Sequence, residues 1–245
     1  MAKILIINGS QRKKNTYGLL KRIEKEFSHD TIEFINVSDY DVKACVGCEQ
    51  CLRKGVCHIK DDANQILDKM VEADGIIIGA PVYLRHIPGY LKNIFDRGCA
   101  WYHRSPIVGK PIFFVTTTQV TGTKSLMRYF KDLTVQWGCI YAGSINKTLF
   151  NLEKPYKIKK LDKFKKYLNK DNIKKYRPSM KQIFEFHTQK VLASEILPLD
   201  KIYWDEKGYM DKPYFYTCRI NLVSRALGYF YYKFLKNIIS KNKTV

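Results

Sequence analysis

Residues 3–17, KILIINGSQRKKNTY, leave few folds open to this chain. Ile4, Leu5, Ile6 and Ile7 form a short continuous apolar run, the pattern of a parallel strand covered on both faces. Gly9 ends the run and permits a tight turn close to a ligand. Ser10, Gln11, Arg12, Asn15 and Thr16 follow, just before a helical segment over residues 17–27. Short hydroxyl and amide side chains, with free backbone N–H groups at a helix start, make an anion site. Arg12, Lys13 and Lys14 add positive charge beside it. The same residues also suit an ordinary strand–turn–helix with a polar cap, and the rest of the chain decides between the two readings. Neither Gly-x-Gly-x-x-Gly nor Gly-x-x-x-x-Gly-Lys-Ser/Thr is present, which disfavours a dinucleotide Rossmann loop and a P-loop.

Four further strands are expected. Residues 31–37 (TIEFINV) alternate as a strand does, and residues 74–80 (DGIIIGA) form a third buried run. Residues 110–116 (KPIFFVT) make a fourth, with proline at the start where it is tolerated, and residues 139–145 (CIYAGSI) a fifth. Helices are expected between them, over residues 61–73, 88–97 and 124–137. Asp61 and Asp62 read as acids at a helix start, near the positive end of its dipole, rather than as catalytic carboxylates. Strands alternating with helices imply an α/β fold with a doubly wound, five-stranded parallel sheet of order 2-1-3-4-5. In such a sheet the loops after strands one, three and four converge at the carboxyl edge, and the loop after strand two opens on the same edge.

That last loop holds Cys45, Cys48, Cys51 and Cys57, spaced C-x2-C-x2-C-x5-C. Four of the seven cysteines thus fall within 13 residues. Three thiolates at intervals of three can wrap one side of a small cluster, and a fourth returns after a short loop containing Gly55. Iron–sulfur clusters take four thiolates at such close spacing. A four-cysteine zinc site more often pairs two C-x2-C units across a longer spacer, and an intramolecular disulfide switch is a third use. His58 directly after Cys57 reads as a loop residue, with ligation as the alternative.

Residues 9–16 (GSQRKKNT) resemble the first loop of the flavodoxin-like NAD(P)H-dependent FMN reductases, G-S-x-R-x-x-S/N-x-T, with the threonine one position early. Pro81-Val82-Tyr83 resembles the second loop of that family, and residues 88–97 (PGYLKNIFDR) resemble its P-x-x-L-K-x-x-x-D-R helix. The cysteine motif resembles that of the archaeal-type iron–sulfur flavoproteins. The resemblance covers residues 1–150, and it implies a flavodoxin-like domain that binds FMN. Ser10, Arg12, Asn15, Thr16 and Tyr17 would hold the phosphate. Pro81, Val82, Tyr83 and Leu84, with Thr117 and Thr118, would line the ring, although residues 116–122 carry less glycine than the family's third loop. Cys45, Cys48, Cys51 and Cys57 would ligate a 4Fe-4S cluster. The implied activity is that of an oxidoreductase passing electrons from NAD(P)H or ferredoxin to a small-molecule or protein acceptor. A homodimer or homotetramer is implied as well. The flavin carries the chemistry, and no catalytic side chain is named. The family's Asp-Arg pair, here Asp96-Arg97, is structural or sits at a dimer interface.

The alternatives are a cluster-free NAD(P)H:quinone, nitro or azo reductase, a non-catalytic electron carrier, and a basic protein that binds membrane or RNA. The net charge is +20, and residues 151–245 carry 22 Lys and Arg against 9 Asp and Glu. A basic tail can meet nucleic acid or an anionic membrane, but no nucleic-acid module is recognisable, and most of the lysines read as a solubilising bias. Residues 151–245 are expected to form a basic, mostly helical extension. Residues 154–175 read as an exposed helix or arm, and residues 180–195 as an amphipathic helix. Residues 200–209 (DKIYWDEKGY) resemble a segment of a subset of the same reductases, with no chemistry assigned to it. The aromatic stretch 222–239 reads as a packing helix, with peripheral membrane contact as its alternative. No apolar run is long enough to span a bilayer, and the chain enters a strand at once, without a signal peptide. A cytoplasmic protein with reduced or metal-bound cysteines is therefore expected.

Overall fold

The computed structural model describes residues 1–242. Five parallel strands, β1 (Lys3–Asn8), β2 (Thr31–Asn36), β3 (Gly75–Pro81), β4 (Pro111–Thr118) and β5 (Ile140–Thr148), form one sheet in the order β2-β1-β3-β4-β5. The expected sheet is thus present, with its strands running one to three residues further at their carboxyl ends than the apolar runs alone mark for β3, β4 and β5.

Alternation along the strands builds two cores. Leu5, Ile7, Ile76, Ile78, Ile112 and Phe114 face one way. There they pack on α3 (Ala63–Glu72), α4 (Gly89–Arg97) and α5 (Thr123–Gln136), through side chains such as Ile66, Leu91 and Phe130. Ile4, Ile6, Ile77, Phe113 and Val115 face the other way, toward Leu19, Leu20 and Ile23 of α1 (Asn15–Glu24). That second face is completed by Leu161 and by Phe164 of α6 (Asp162–Leu168), both fully buried. The lysine-rich segment expected to be an exposed arm is therefore a cover for the sheet. Its lysines point outward while Leu161, Phe164 and Tyr167 sink, and burying one such ring is worth roughly 2–3 kcal/mol.

Helices α7 (Met180–Glu195), α8 (Pro198–Glu206) and α9 (Leu222–Asn242) follow. Ser179 and Gln182 form a capping box at the start of α7, each side chain serving the other's backbone N–H. Phe186, Trp204, Tyr209, Tyr214 and Phe215 make a separate aromatic core beside it. α9 lies close on α7 because Gly228 has no side chain: a Cβ there would stand 2.7 Å from Ile183 Cγ2 and 2.8 Å from His187 Nε2. The opposite side of α9 leaves Val223, Leu227, Phe230, Phe234 and Ile238 exposed. No helix among the described residues is long and apolar enough to cross a membrane.

Candidate functional site at the carboxyl edge of the sheet

A cavity of about 450 Å3 opens where β1, β3 and β4 end. Its lining includes Ser10, Arg12, Lys14, Asn15 and Thr16 from the first loop, Pro81, Val82 and Tyr83 from the third, and Thr117, Thr118 and Gln119 from the fourth. Nine of the sequence-derived binding residues thus meet at one place. Tyr17 does not line the cavity; its ring packs edge-on against Phe34, with centroids 5.3 Å apart. Leu84 does not line it either and is fully exposed. Leu149, just past β5, lines the cavity without having carried any motif.

Local structure explains the convergence. Asn8 is buried at the end of β1 and folds the first loop back, its Nδ2 donating to Ser10 O at 3.2 Å while its Oδ1 accepts from Ser10 N at 3.3 Å. Gly9 passes so close to β3 that its N–H donates to Gly79 O at 2.7 Å, and a Cβ on Gly9 would stand 2.8 Å from that oxygen. The chain then enters α1, so Lys14, Asn15 and Thr16 present a helix N-terminus to the cavity, with the positive end of its dipole. Thr16 and Thr117 hydroxyls are buried and 2.7 Å apart, which locks the first loop to the fourth. Val82 N donates to Thr117 O at 2.8 Å, which locks the third loop to the same strand. Beyond Val82 the chain makes a hairpin, with Tyr83 and His86 exchanging backbone hydrogen bonds of 2.9 and 2.8 Å. Leu84 and Arg85 at its tip have φ of 46° and 66°. Two positive φ values define a turn that normally takes Asn-Gly.

A second cavity, about 80 Å3, lies under the loop after β2. All four motif cysteines line it, Cys45, Cys48, Cys51 and Cys57, together with Cys99 and Arg97. Cys51 lies on a five-residue helix, α2 (Gln50–Lys54), which the sequence reading did not anticipate. Cys99 was also missed. It comes 42 positions after Cys57 in the chain, yet its Sγ is 3.6 Å from Cys51 Sγ. Burial first, then the Cys51 sulfur, pushes the Cys99 thiol up to about 12. Cys48 Sγ is 3.3 Å from Nδ1 of His58. Among the described residues no three Cys, His, Asp or Glu side chains come together so as to hold a metal ion. The thiols instead ring the cavity.

The frame around the thiols is polar and buried. Arg97 pairs with Asp61, both side chains about 1% exposed, and its other nitrogen donates to Ile59 O at 3.1 Å. Asp61 also accepts from the backbone N–H of Lys43 and of Ala63, at 2.9 and 3.1 Å. Burial alone would raise this carboxyl, but Arg97 and the two amides outweigh it and hold it below its ordinary range. Arg97 thus pairs with Asp61 rather than with its neighbour Asp96, which pairs with Lys92.

Comparison with known proteins shows the family. The model of the NADPH-dependent FMN reductase family matches residues 2–149. The chain belongs to that family. An iron–sulfur flavoprotein of Clostridioides difficile is 30% identical over 197 residues, covering 75% of this chain and 85% of that protein. One of Archaeoglobus fulgidus is 47% identical over 98 residues, 39% of this chain and 48% of that protein. One of Methanocaldococcus jannaschii is 41% identical over 98 residues, 39% of this chain and 51% of that protein. The matched stretch spans about half the length of the last two relatives. The structure of RosB, described with a bound 8-demethyl-8-formylriboflavin-5'-phosphate intermediate, aligns at a TM-score of 0.50 and 15% identity. It covers 91% of this chain and 92% of that one, and it bears on the fold alone. The FMN reductases are oxidoreductases.

Proposed function

We propose that this protein is an FMN-dependent oxidoreductase that moves electrons from NAD(P)H or ferredoxin to a small-molecule or protein acceptor. The observation that carries the reading is a single sheet edge with two cavities, one basic and hydroxyl-rich at a helix N-terminus, the other ringed by five thiols. The first suits FMN. Arg12, Lys14, Asn15 and Thr16 offer charge, hydrogen bonds and a helix dipole to the phosphate. Pro81, Val82 and Tyr83 offer an apolar wall to the ring, and Thr117 and Thr118 offer hydroxyl groups to its polar edge. The volume lies within the usual range for a small-ligand site, about 300–1,000 Å3.

The second cavity suits a polynuclear iron–sulfur centre. Thiolates are the donors such centres take, and donors that surround a space, rather than meeting at one point, match a cluster better than a lone ion. Cys45, Cys48, Cys51 and Cys57 would hold a 4Fe-4S cluster, and Arg97 lines the same cavity. When bound, FMN links two-electron donors to one-electron acceptors. The chain's part is to place and insulate: the Thr16–Thr117 and Val82–Thr117 bonds hold three loops in fixed relation around one site. A homodimer or homotetramer belongs to the same reading, since Tyr83 and Leu149 keep exposed apolar surface at the cavity.

The test is protein purified without oxygen, with FMN, iron and sulfide quantified on one sample together with its ultraviolet–visible spectrum. Flavin bands and about four irons per chain are expected. FMN without iron would move the function to a cluster-free NAD(P)H:quinone, nitro or azo reductase. Neither cofactor, even after FMN is added, would overturn the reading.

A further inference from the structure

Residues 200–209, to which no chemistry is assigned, begin within α8, and this helix grips a neighbouring loop residue by residue. Asp200, Tyr203 and Trp204 stand at i, i+3 and i+4, on one face of α8. Trp204 Nε1 donates to His103 O at 2.8 Å, and Tyr203 Oη donates to Ser105 O at 2.8 Å. Between them, the Asp200 carboxylate receives Nη1 of Arg104. His103 Nδ1 also lies 2.9 Å from Asp200 Oδ2. Three consecutive residues, 103 to 105, are thus held by three side chains of one helix. Asp200 is fully buried and Trp204 almost so.

Arg104 passes this hold on. Its Nη2 donates to Cys51 O at 2.6 Å and to Leu52 O at 3.3 Å. Those carbonyls belong to α2, a helix of five residues. The last four carbonyls of any helix lack partners within it, and so short a helix does not hold itself in water. Arg104 supplies what α2 lacks, and it is itself oriented by the buried carboxylate. Cys99, the thiol facing Cys51, lies five positions before Arg104 on the same connection after α4, so the segment that α8 grips also carries the second sulfur.

We infer that Asp200 is a positioning residue for the cysteine cavity: acting through Arg104, it fixes the backbone of Cys51 and hence the direction of its thiol. The C-terminal extension thereby acquires a role at a site to which it contributes no lining residue. The inference concerns how Cys51 is held and stands whether the cavity takes a cluster, another metal or nothing.

The experiment is site-resolved alkylation of the full-length, reduced protein with iodoacetamide in the presence of a chelator, read by peptide mass spectrometry. Asp200→Asn keeps size and removes the charge that orients Arg104. Loss of one charge-assisted hold is expected to speed modification of Cys51 about tenfold. Cys139, buried under the sheet, and Cys218, in the extension, serve as internal controls and are expected to keep their wild-type rates. Arg104→Lys keeps the charge but cannot bridge carboxylate and carbonyls together. It is expected to give the same Cys51-selective rise, and it stands in if Asp200→Asn does not fold. An unchanged Cys51 rate in a folded variant overturns the inference. So does a rise shared by Cys139 and Cys218, which would mark Asp200 as a general stabiliser.

Discussion

Leu84 and Arg85 adopt a left-handed backbone that L side chains avoid, at a cost of roughly 1–2 kcal/mol for each residue. Native chains keep such conformations where neighbouring structure over-determines them, and they cluster at functional loops. Here the neighbours are the Tyr83–His86 bridge on one side and, on the other, Gly122 (itself at φ 94°), whose Cβ position would stand 2.8 Å from Val82 Cγ1. The double replacement Leu84→Asn with Arg85→Gly supplies the residues this turn normally takes. It is expected to raise stability by about 1 kcal/mol, part of the relief being offset by the freedom Gly gains in the unfolded chain. The midpoint of urea unfolding checks this, and a lower midpoint would mean that the wild-type side chains contribute more at the tip than the strain costs. The exposure of Leu84 also has a local cause: the Pro-Val-Tyr match fixes where a loop begins, whereas the sharp reversal that turns the fourth residue outward goes with the pairing of Tyr83 with His86.

A buried ion pair joins Asp61, two residues before α3, to Arg97 at the end of α4. Truncating one partner of such a pair leaves the other charged and dry, so Arg97→Ala is expected to cost about 3–5 kcal/mol at neutral pH. The Asp61 carboxyl is held below its ordinary value of 3.8. Its contribution is therefore complete above that value and is lost as pH falls through the lowered one. The gap in unfolding free energy between wild type and variant should narrow below about pH 4, and a gap that stays constant into that range would separate the pair from the acid response. Elements of this size were mostly legible in advance. Strands announced themselves as apolar runs, and residues 180–195 as an amphipathic helix. The failures have physical causes. Helix α2 buries no residue, so it leaves no periodic trace. The segment 154–175 hid a buried stripe, Leu161 and Phe164 three apart, under its lysines. Cys99 could not be grouped with the other thiols, because a contact between residues 48 positions apart is set by how α4 lies on the sheet.

Across the whole molecule, the topology did most of the work of placing the sites. A parallel sheet puts every strand's carboxyl end on one edge, so loops separated by more than 100 residues, such as those of Thr16 and Thr117, become neighbours without any long-range motif. The α8 grip adds a dependence of another kind, one of time. The sheet is complete in sequence at Thr148, whereas Asp200 follows Arg104 by 96 residues. At about 5–20 residues per second, a ribosome needs roughly 5–20 s to reach Asp200 after making Arg104. During that interval the nascent chain carries α2 without the Asp200 carboxylate that orients Arg104. Chains arrested before residue 198 are expected to show Cys51 reacting as a free thiol, and chains released after α8 has emerged to protect it. Equal reactivity in the two would mean that the cavity closes on its own. On this schedule Arg104 waits for its carboxylate until α8, in the last fifth of the chain, has been made.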